Sequence, residues 1–163
     1  MITTWRLSGE PFTSKTQAFD GEGAYRTGRR WNSRGVRVVY AASTIALATL
    51  EILVNLEDIE VLRRKYVAFR AEIPEEIIQT LVPDGDYSGL PRDWAINPKP
   101  PSTKAIGDGW VRGGSSAVLE VPSAIVPLEM NYVLNPAHSD FKLIKIFESV
   151  PVRFDPRLER GLN

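Results

Sequence analysis

Two spacings of apolar residues alternate along this chain, one helical and one strand-like. Ile45, Ala48, Ile52 and Leu56 recur at helical intervals, and Leu47, Leu50 and Leu53 widen the apolar face. A helix is therefore predicted at about 44–56, with Ser43 as its cap. ITTWRL (2–7), the β-branched VRVVYA (36–41), KYVAFRAEI (65–73) and SAVLEV (116–121) read as strands. Gly9, Pro11, Gly21 and Gly23 make 8–24 a loop, and Arg34-Gly35 marks a turn. Pro74 opens a short helix whose Glu75 and Glu76 suit the positive end of its dipole. Prolines at 83, 91, 98, 100 and 101 make 83–101 a long flap rather than a linker, since no second core-sized segment follows. Ser102 then caps a helix through Val111. AIVPL (124–128) reads as a short edge strand bent at Pro127, and MNYVLNP (130–136) leads into a turn at Asn135-Pro136. FKLIKIFESVPVRF (141–154) supplies the last strands. Six or seven strands and three helices, with strands dominating the second half, predict an α+β domain.

Composition narrows the classes of function. The 163 residues fit one domain able to bury a core, and 43% hydrophobic with 25% charged residues is ordinary for a globular protein. Twenty basic and twenty acidic side chains cancel, so no cationic surplus gathers phosphates and direct nucleic-acid binding is not expected. Without cysteine there is no disulfide, zinc–thiolate site or thiol nucleophile. One histidine, His138, argues against a histidine-based centre, so no metal is expected. MITTWRLSGEPF lacks the basic start and apolar core of a secretion signal. No apolar run reaches the ~20 residues that a bilayer requires, so a cytoplasmic protein without membrane contact is expected.

Glu51 changes this bland picture. It is the only ionisable residue between Ala41 and Leu56, and a carboxylate in so apolar a stretch either faces water or needs a partner. Partners stand just upstream. Arg30 is always charged and its fork fits phosphate or carboxylate oxygens, although a lone arginine is as readily a surface residue. Trp31 can stack on a flat heterocycle or fill the core. Tyr40, ending a strand, can pack on a ligand ring and offer its hydroxyl, or be a half-buried sheet residue. Ser123 has no nucleophile-elbow context and no nearby histidine, which removes a serine hydrolase and leaves one positioned hydrogen bond. His138, after Asn135-Pro136, reads as a turn residue. Neither the dinucleotide fingerprint nor the P-loop occurs, and Asp84-Gly85-Asp86 lacks the rest of a calcium loop. Together, an arginine for a diphosphate, aromatics for a heterocycle and a carboxylate for a developing positive charge describe one kind of site. Glycosidic cleavage passes through an oxocarbenium-like state that a carboxylate stabilises, and a cationic nicotinamide leaves without a strong general acid.

Three ordered segments carry a wider resemblance: GRRWNSRGVRVVYAAS (28–43), ALATLE (46–51), and VPSAIVP, NY, NP and His138 within 121–138. In these, and from Trp5-Arg6 to about Phe154-Asp155, the chain resembles the RES-domain family, named for an arginine, a glutamate and a serine. Its members are toxins of bacterial toxin–antitoxin pairs, usually encoded beside a helix-turn-helix antitoxin. The resemblance implies a single-domain fold related to ADP-ribosyltransferase toxins, with a mixed or antiparallel sheet core and a few helices. It also implies activity against NAD and a helix-turn-helix antitoxin as partner. By position Arg30, Glu51 and Ser123 match the three naming residues, and Tyr40 matches a tyrosine associated with the pocket. Arg6 is a further candidate for the phosphates. Where the family tends to have glycine before its arginine this chain has Arg29, which leaves open which of the two faces the ligand.

On this reading Arg30 holds the diphosphate or ribose phosphate, and Tyr40 with Trp31 packs on nicotinamide. Ser123 bonds near the ribose or carboxamide, and Glu51 stabilises the oxocarbenium. Loop 83–101 can shape the acceptor side. Water, inorganic phosphate or a protein side chain as acceptor gives a glycohydrolase, a phosphorolytic enzyme or an ADP-ribosyltransferase, and all three stay open. Two other classes compete. One is an RNA- or protein-binding toxin that never touches NAD, disfavoured by the zero net charge. The other is a catalytically silent partner of a DNA-binding antitoxin.

Overall fold

In a computed structural model that describes residues 1–161, the longest pairing joins β1 (Ile2–Gly9) antiparallel to β3 (Tyr66–Ile73), from Ile2↔Ile73 to Gly9↔Tyr66. The other edge of β1 meets β2 (Val39–Ala42), which pairs antiparallel with β6 (Met130–Leu134). Beyond β6 lies β5 (Val118–Pro122), antiparallel to it, and then β4 (Ile78–Thr80), parallel to β5. The short strands β7 (Lys145–Ile146) and β8 (Val150–Val152) share the outer edge of β3. The result is a mixed eight-stranded sheet in an α+β fold.

Side-chain alternation divides the sheet's two faces. Val39 and Ala41 of β2, Phe69, Ala71 and Ile73 of β3, and Tyr132 and Leu134 of β6 pack with Ala18 and Phe19 of helix α1 (Lys15–Phe19). On the other face Leu119, Val121 and Val133 pack with Trp31 and with Trp110 of helix α4 (Pro101–Gly113). Leu7, Ala42 and Ala68 meet Leu47 and Ala48 of helix α3 (Ile45–Leu53) on that same side. Helix α2 (Glu22–Thr27) precedes the turn that carries Arg30.

One feature of the sheet makes room for a site. Among the described residues β1 and β2 pair only at Trp5↔Ala42, and the two strands then diverge. The alternation of the β2–β6 ladder turns the Tyr40 carbonyl toward β1. No β1 amide reaches it; Arg6 Nη1 donates to it instead, at 2.8 Å. A cavity opens along this split.

Several elements differ from the sequence reading. The predicted loop 8–24 contains α1 and the first half of α2. The strand predicted at 36–41 starts only at Val39, because Gly35 and Val36 close turns onto Tyr25 and Ser33. Thr44, not Ser43, caps α3 by accepting from Leu47 N at 3.0 Å, and the helix stops at Leu53 rather than Leu56. Helix α4 begins at Pro101 without a side-chain cap, and Ser102 Oγ donates to Asp93 at 2.6 Å instead. AIVPL is not a strand. Ser123 Oγ accepts from Ile125 N and Val126 N and folds this stretch into a turn, while 130–134 forms the strand. The helix after Pro74 is present as the 3-10 turn Glu75–Ile77. No helix among the described residues is long and apolar enough to cross a membrane.

Candidate active site

A cavity of about 570 Å³ occupies the split between β1 and β2, and Arg6, Arg30, Trp31, Tyr40 and Glu51 all border it. That volume lies within the range of small-molecule pockets.

Glu51 reaches it from the last turns of α3, half-buried. Two donors converge on one carboxylate oxygen: Asn131 Nδ2 at 2.6 Å and Ser123 Oγ at 3.0 Å, both to Oε1. Oε2 has no hydrogen-bond partner among the described residues. Ser123 follows the end of β5, is fully buried, and does not line the cavity. Its hydroxyl oxygen accepts from two backbone N–H groups, which leaves its proton for Glu51. The bond expected from Ser123 to a ribose or carboxamide thus goes to the carboxylate behind which it sits.

Arg30 lies on a turn fastened from two sides. From within, Asn32 is fully buried and donates to Ala24 O and Val36 O. Gly28 adopts φ 67°, and an added Cβ there would lie 2.9 Å from Arg34 N. From outside, α4 presents Thr103, whose hydroxyl donates to Arg30 O at 2.6 Å, and Asp108, which accepts from Ser33 N at 2.9 Å. Gly107 packs so tightly on the turn that a Cβ would stand 1.7 Å from Trp31 O. The Arg30 guanidinium donates through Nη1 to Trp94 O at 2.8 Å and Ile96 O at 2.9 Å, tying the 83–101 segment over the cavity. Burial lowers its pKa, and the charge of Glu51 opposes that shift. A guanidinium stays charged in either case.

The aromatic residues divide their work differently from the expectation. Trp31 is 2% exposed and packs with Trp110, Leu119 and Val133, so its indole belongs to the core and is not free to stack on a ligand. Tyr40 borders the cavity, but its hydroxyl donates to Asn32 Oδ1 at 2.8 Å and accepts from Trp31 N at 3.1 Å. It holds the Arg30 turn and offers a ligand only its ring. Burial pushes this phenol's pKa well above the usual range.

Five cations line the space, Arg64 among them, and four of these, Arg6, Arg29, Arg30 and Lys99, act on one another or on Glu51. Arg6 donates through Nε to Ala18 O at 2.5 Å and through Nη1 to Tyr40 O, leaving Nη2 without an acceptor among the described residues. Burial, then the charge of Arg29, lowers its pKa to about 10. Arg29 and Arg30 both border the cavity; the Arg29 guanidinium stands 6.0 Å from the centre of the Tyr40 ring. Lys99, from the proline-rich segment, donates to Asn55 Oδ1 at 2.9 Å. Burial and then Arg29 and Arg30 lower its pKa, while Glu51 raises it. Glu10, Asp20 and Glu22 line the cavity as well as Glu51, but these four cations act on one another, and such a group of like charges suits an anion bearing more than one negative charge. Lys99, Asn131, Thr103 and Asp108 escaped the sequence reading. Asn131 stands inside a segment that carries the family resemblance, and Lys99 between prolines of the flap, but neither has a local signal of its role.

Comparison with known proteins gives the family and the fold. The family model described as RES domain matches residues 3–155. The Prs ADP-ribosylating toxin of Sphingobium sp. (strain YBL2) is 36% identical over 156 residues, spanning 96% of each chain. Toxin Res of Yersinia enterocolitica is 39% identical over 140 residues, spanning 85% of this chain and 89% of its own. In fold the chain is similar to one in the crystal structure of the M. tuberculosis MbcT–MbcA toxin–antitoxin complex, with TM-score 0.75 and 19% identity over 99% of this chain and 88% of that one. A family match over nearly the whole length, and relatives this similar, mean that the chain belongs to the RES-domain family.

Proposed function

We propose that this chain is the toxin of a toxin–antitoxin pair and that its cavity binds NAD and breaks the bond between nicotinamide and ribose. The observation that carries this reading is the free Oε2 of Glu51 in the same cavity as Arg6, Arg29, Arg30 and Lys99. The cations suit the diphosphate. The Tyr40 ring gives the pyridine a flat wall. The carboxylate stands where positive charge develops on the ribose as nicotinamide departs. Bond breaking sends the glycosidic electron pair to the pyridinium nitrogen, which leaves as neutral nicotinamide, so no proton has to be delivered to it.

Transfer of ADP-ribose to a protein side chain uses the same first step, and the name of the Sphingobium relative favours it as the second reading. The toxin names of the relatives, and the toxin–antitoxin complex of similar fold, support an antitoxin partner, here proposed to be of the helix-turn-helix class. A segment laid over Arg30 would block the cavity.

Purified protein incubated with NAD should release nicotinamide, and mass analysis with water alone, with phosphate and with lysate should identify the acceptor. Glu51→Gln keeps the shape of the side chain and removes its charge, and should slow release by about 100–1,000-fold. Full activity in that variant, or no release from wild type under any of the three conditions, would overturn the reading.

A further inference from the structure

We infer that Asn131 is a bridging residue of this site: its amide nitrogen fixes Glu51, and its amide oxygen receives a neutral hydrogen-bond donor from the bound nucleotide. The second half of this inference rests on the NAD reading above.

The orientation of the amide follows from its neighbour. A carboxylate only accepts, so the group 2.6 Å from Glu51 Oε1 must be the NH₂ of Asn131. Its oxygen then points the other way. Asn131 borders the cavity and is half-buried, and among the described residues nothing donates to Oδ1. A half-buried amide oxygen on a cavity wall is a place for a ligand donor.

The backbone holds the amide rigidly. Asn131 sits in β6 between two ladders, opposite Ala42 of β2 and Val121 of β5. Residues on paired strands keep their geometry better than residues on loops. Ser123 and Asn131 share Oε1, so the pair sets the carboxylate plane and aims Oε2. The donors beside a nicotinamide ribose are the ribose hydroxyls and the carboxamide N–H, all neutral.

Two variants separate the halves. Asn131→Ala removes both contacts and should lower kcat for nicotinamide release by about 10–100-fold and raise KM several-fold. Asn131→Asp keeps an acceptor but sets two carboxylates side by side, so it should be nearly inactive at neutral pH. It should recover as acid supplies one shared proton, which rebuilds an O–H donor toward Glu51. Arg30 and Lys99, whose charges also act on Glu51, are unchanged in both variants. A merely structural role would lower the melting temperature and leave the pH profile of kcat as in wild type. Repeating the assay with the acetylpyridine analogue of NAD, which lacks the carboxamide N–H, assigns the donor. The Asn131→Ala effect on KM disappears if the carboxamide donates and persists if a ribose hydroxyl does.

Wild-type kcat and KM in Asn131→Ala, or a wild-type pH profile in Asn131→Asp, overturns the inference. If wild type itself releases no nicotinamide, the nucleotide half falls with the NAD reading. The Glu51 half is then decided by the Asn131 side-chain amide proton resonances. They should be shifted downfield in wild type and lose that shift in Glu51→Ala, and an unshifted wild-type signal overturns it.

Discussion

Arg6 Nη1 and Tyr40 O are joined at 2.8 Å across the place where β1 and β2 part, so a side chain stands in for a missing rung of the sheet. The same guanidinium also holds Ala18 O at 2.5 Å. Arg6→Met keeps much of the length but removes both donors, leaving the Tyr40 carbonyl without the partner it has now. A loss of about 2–4 kcal/mol is expected, seen as a fall in melting temperature. Arg6→Lys should recover only part of it, because an ammonium lacks the planar fork. A melting temperature equal to wild type in Arg6→Met would show that the rung carries no weight.

Gly107 and Gly109 lie on the same helix and should respond to alanine with opposite signs. At Gly109 an added Cβ meets nothing within 4 Å, and alanine should stabilise by about 0.5–1 kcal/mol through helix propensity. At Gly107 the Cβ would stand 1.7 Å from Trp31 O, so α4 or the Arg30 turn must move. A cost of about 1–3 kcal/mol or more is expected, with activity falling further than stability explains. Denaturant unfolding of the two variants in parallel checks both signs.

Lys99 should impose an alkaline limb on nucleotide binding. Burial and the neighbouring arginines lower its pKa, so it sheds its proton at a lower pH than an ordinary lysine. Losing that cation weakens attraction for a phosphate, so affinity for NAD should fall as pH rises toward the lysine range. Lys99→Arg stays charged and should flatten that limb, whereas Lys99→Met should bind weakly at every pH. Calorimetric titration across pH measures this; identical profiles in wild type and Lys99→Arg would remove Lys99 from the binding site.

Tyr40→Phe tests whether the hydroxyl belongs to chemistry or to scaffolding. It retains the ring on the cavity but deletes the bonds to Trp31 N and Asn32 Oδ1. Asn32 Oδ1 keeps the Arg29 N–H at 3.1 Å, but the buried Trp31 N–H loses its acceptor, which should cost about 1–3 kcal/mol of stability. Any loss of rate should then come with loss of order in residues 29–32, readable as faster amide exchange there. A large fall in kcat with unchanged stability and exchange would return the hydroxyl to the reaction itself.

The sequence makes β1, β3 and α3 legible because each is long enough for its period of apolar residues to show against the background. α1 and α2 span only five and six residues, too short for a helical period, and Gly21 and Gly23 at the start of α2 read as punctuation. Val126 packs inward from a turn that the Ser123 hydroxyl folds, so apolar content alone suggests a strand where none forms. For the site, Arg30 and Glu51 are visible as charges in unusual company, whereas the partners of Glu51 lie 72 and 80 residues away. No local pattern announces a contact brought about by sheet order. Trp31 illustrates the reverse, since a large ring beside a candidate arginine looks like a ligand platform until its burial is known.

The parting of β1 from β2 after Trp5↔Ala42 has a cost and a use that cannot be separated. Substitutions that let those strands zip together would yield a sturdier molecule with its entrance sealed. Selection for thermal resilience alone should therefore drift toward inert variants, and hardening this fold without silencing it means reinforcing the far edges at β4 and β7 rather than the seam.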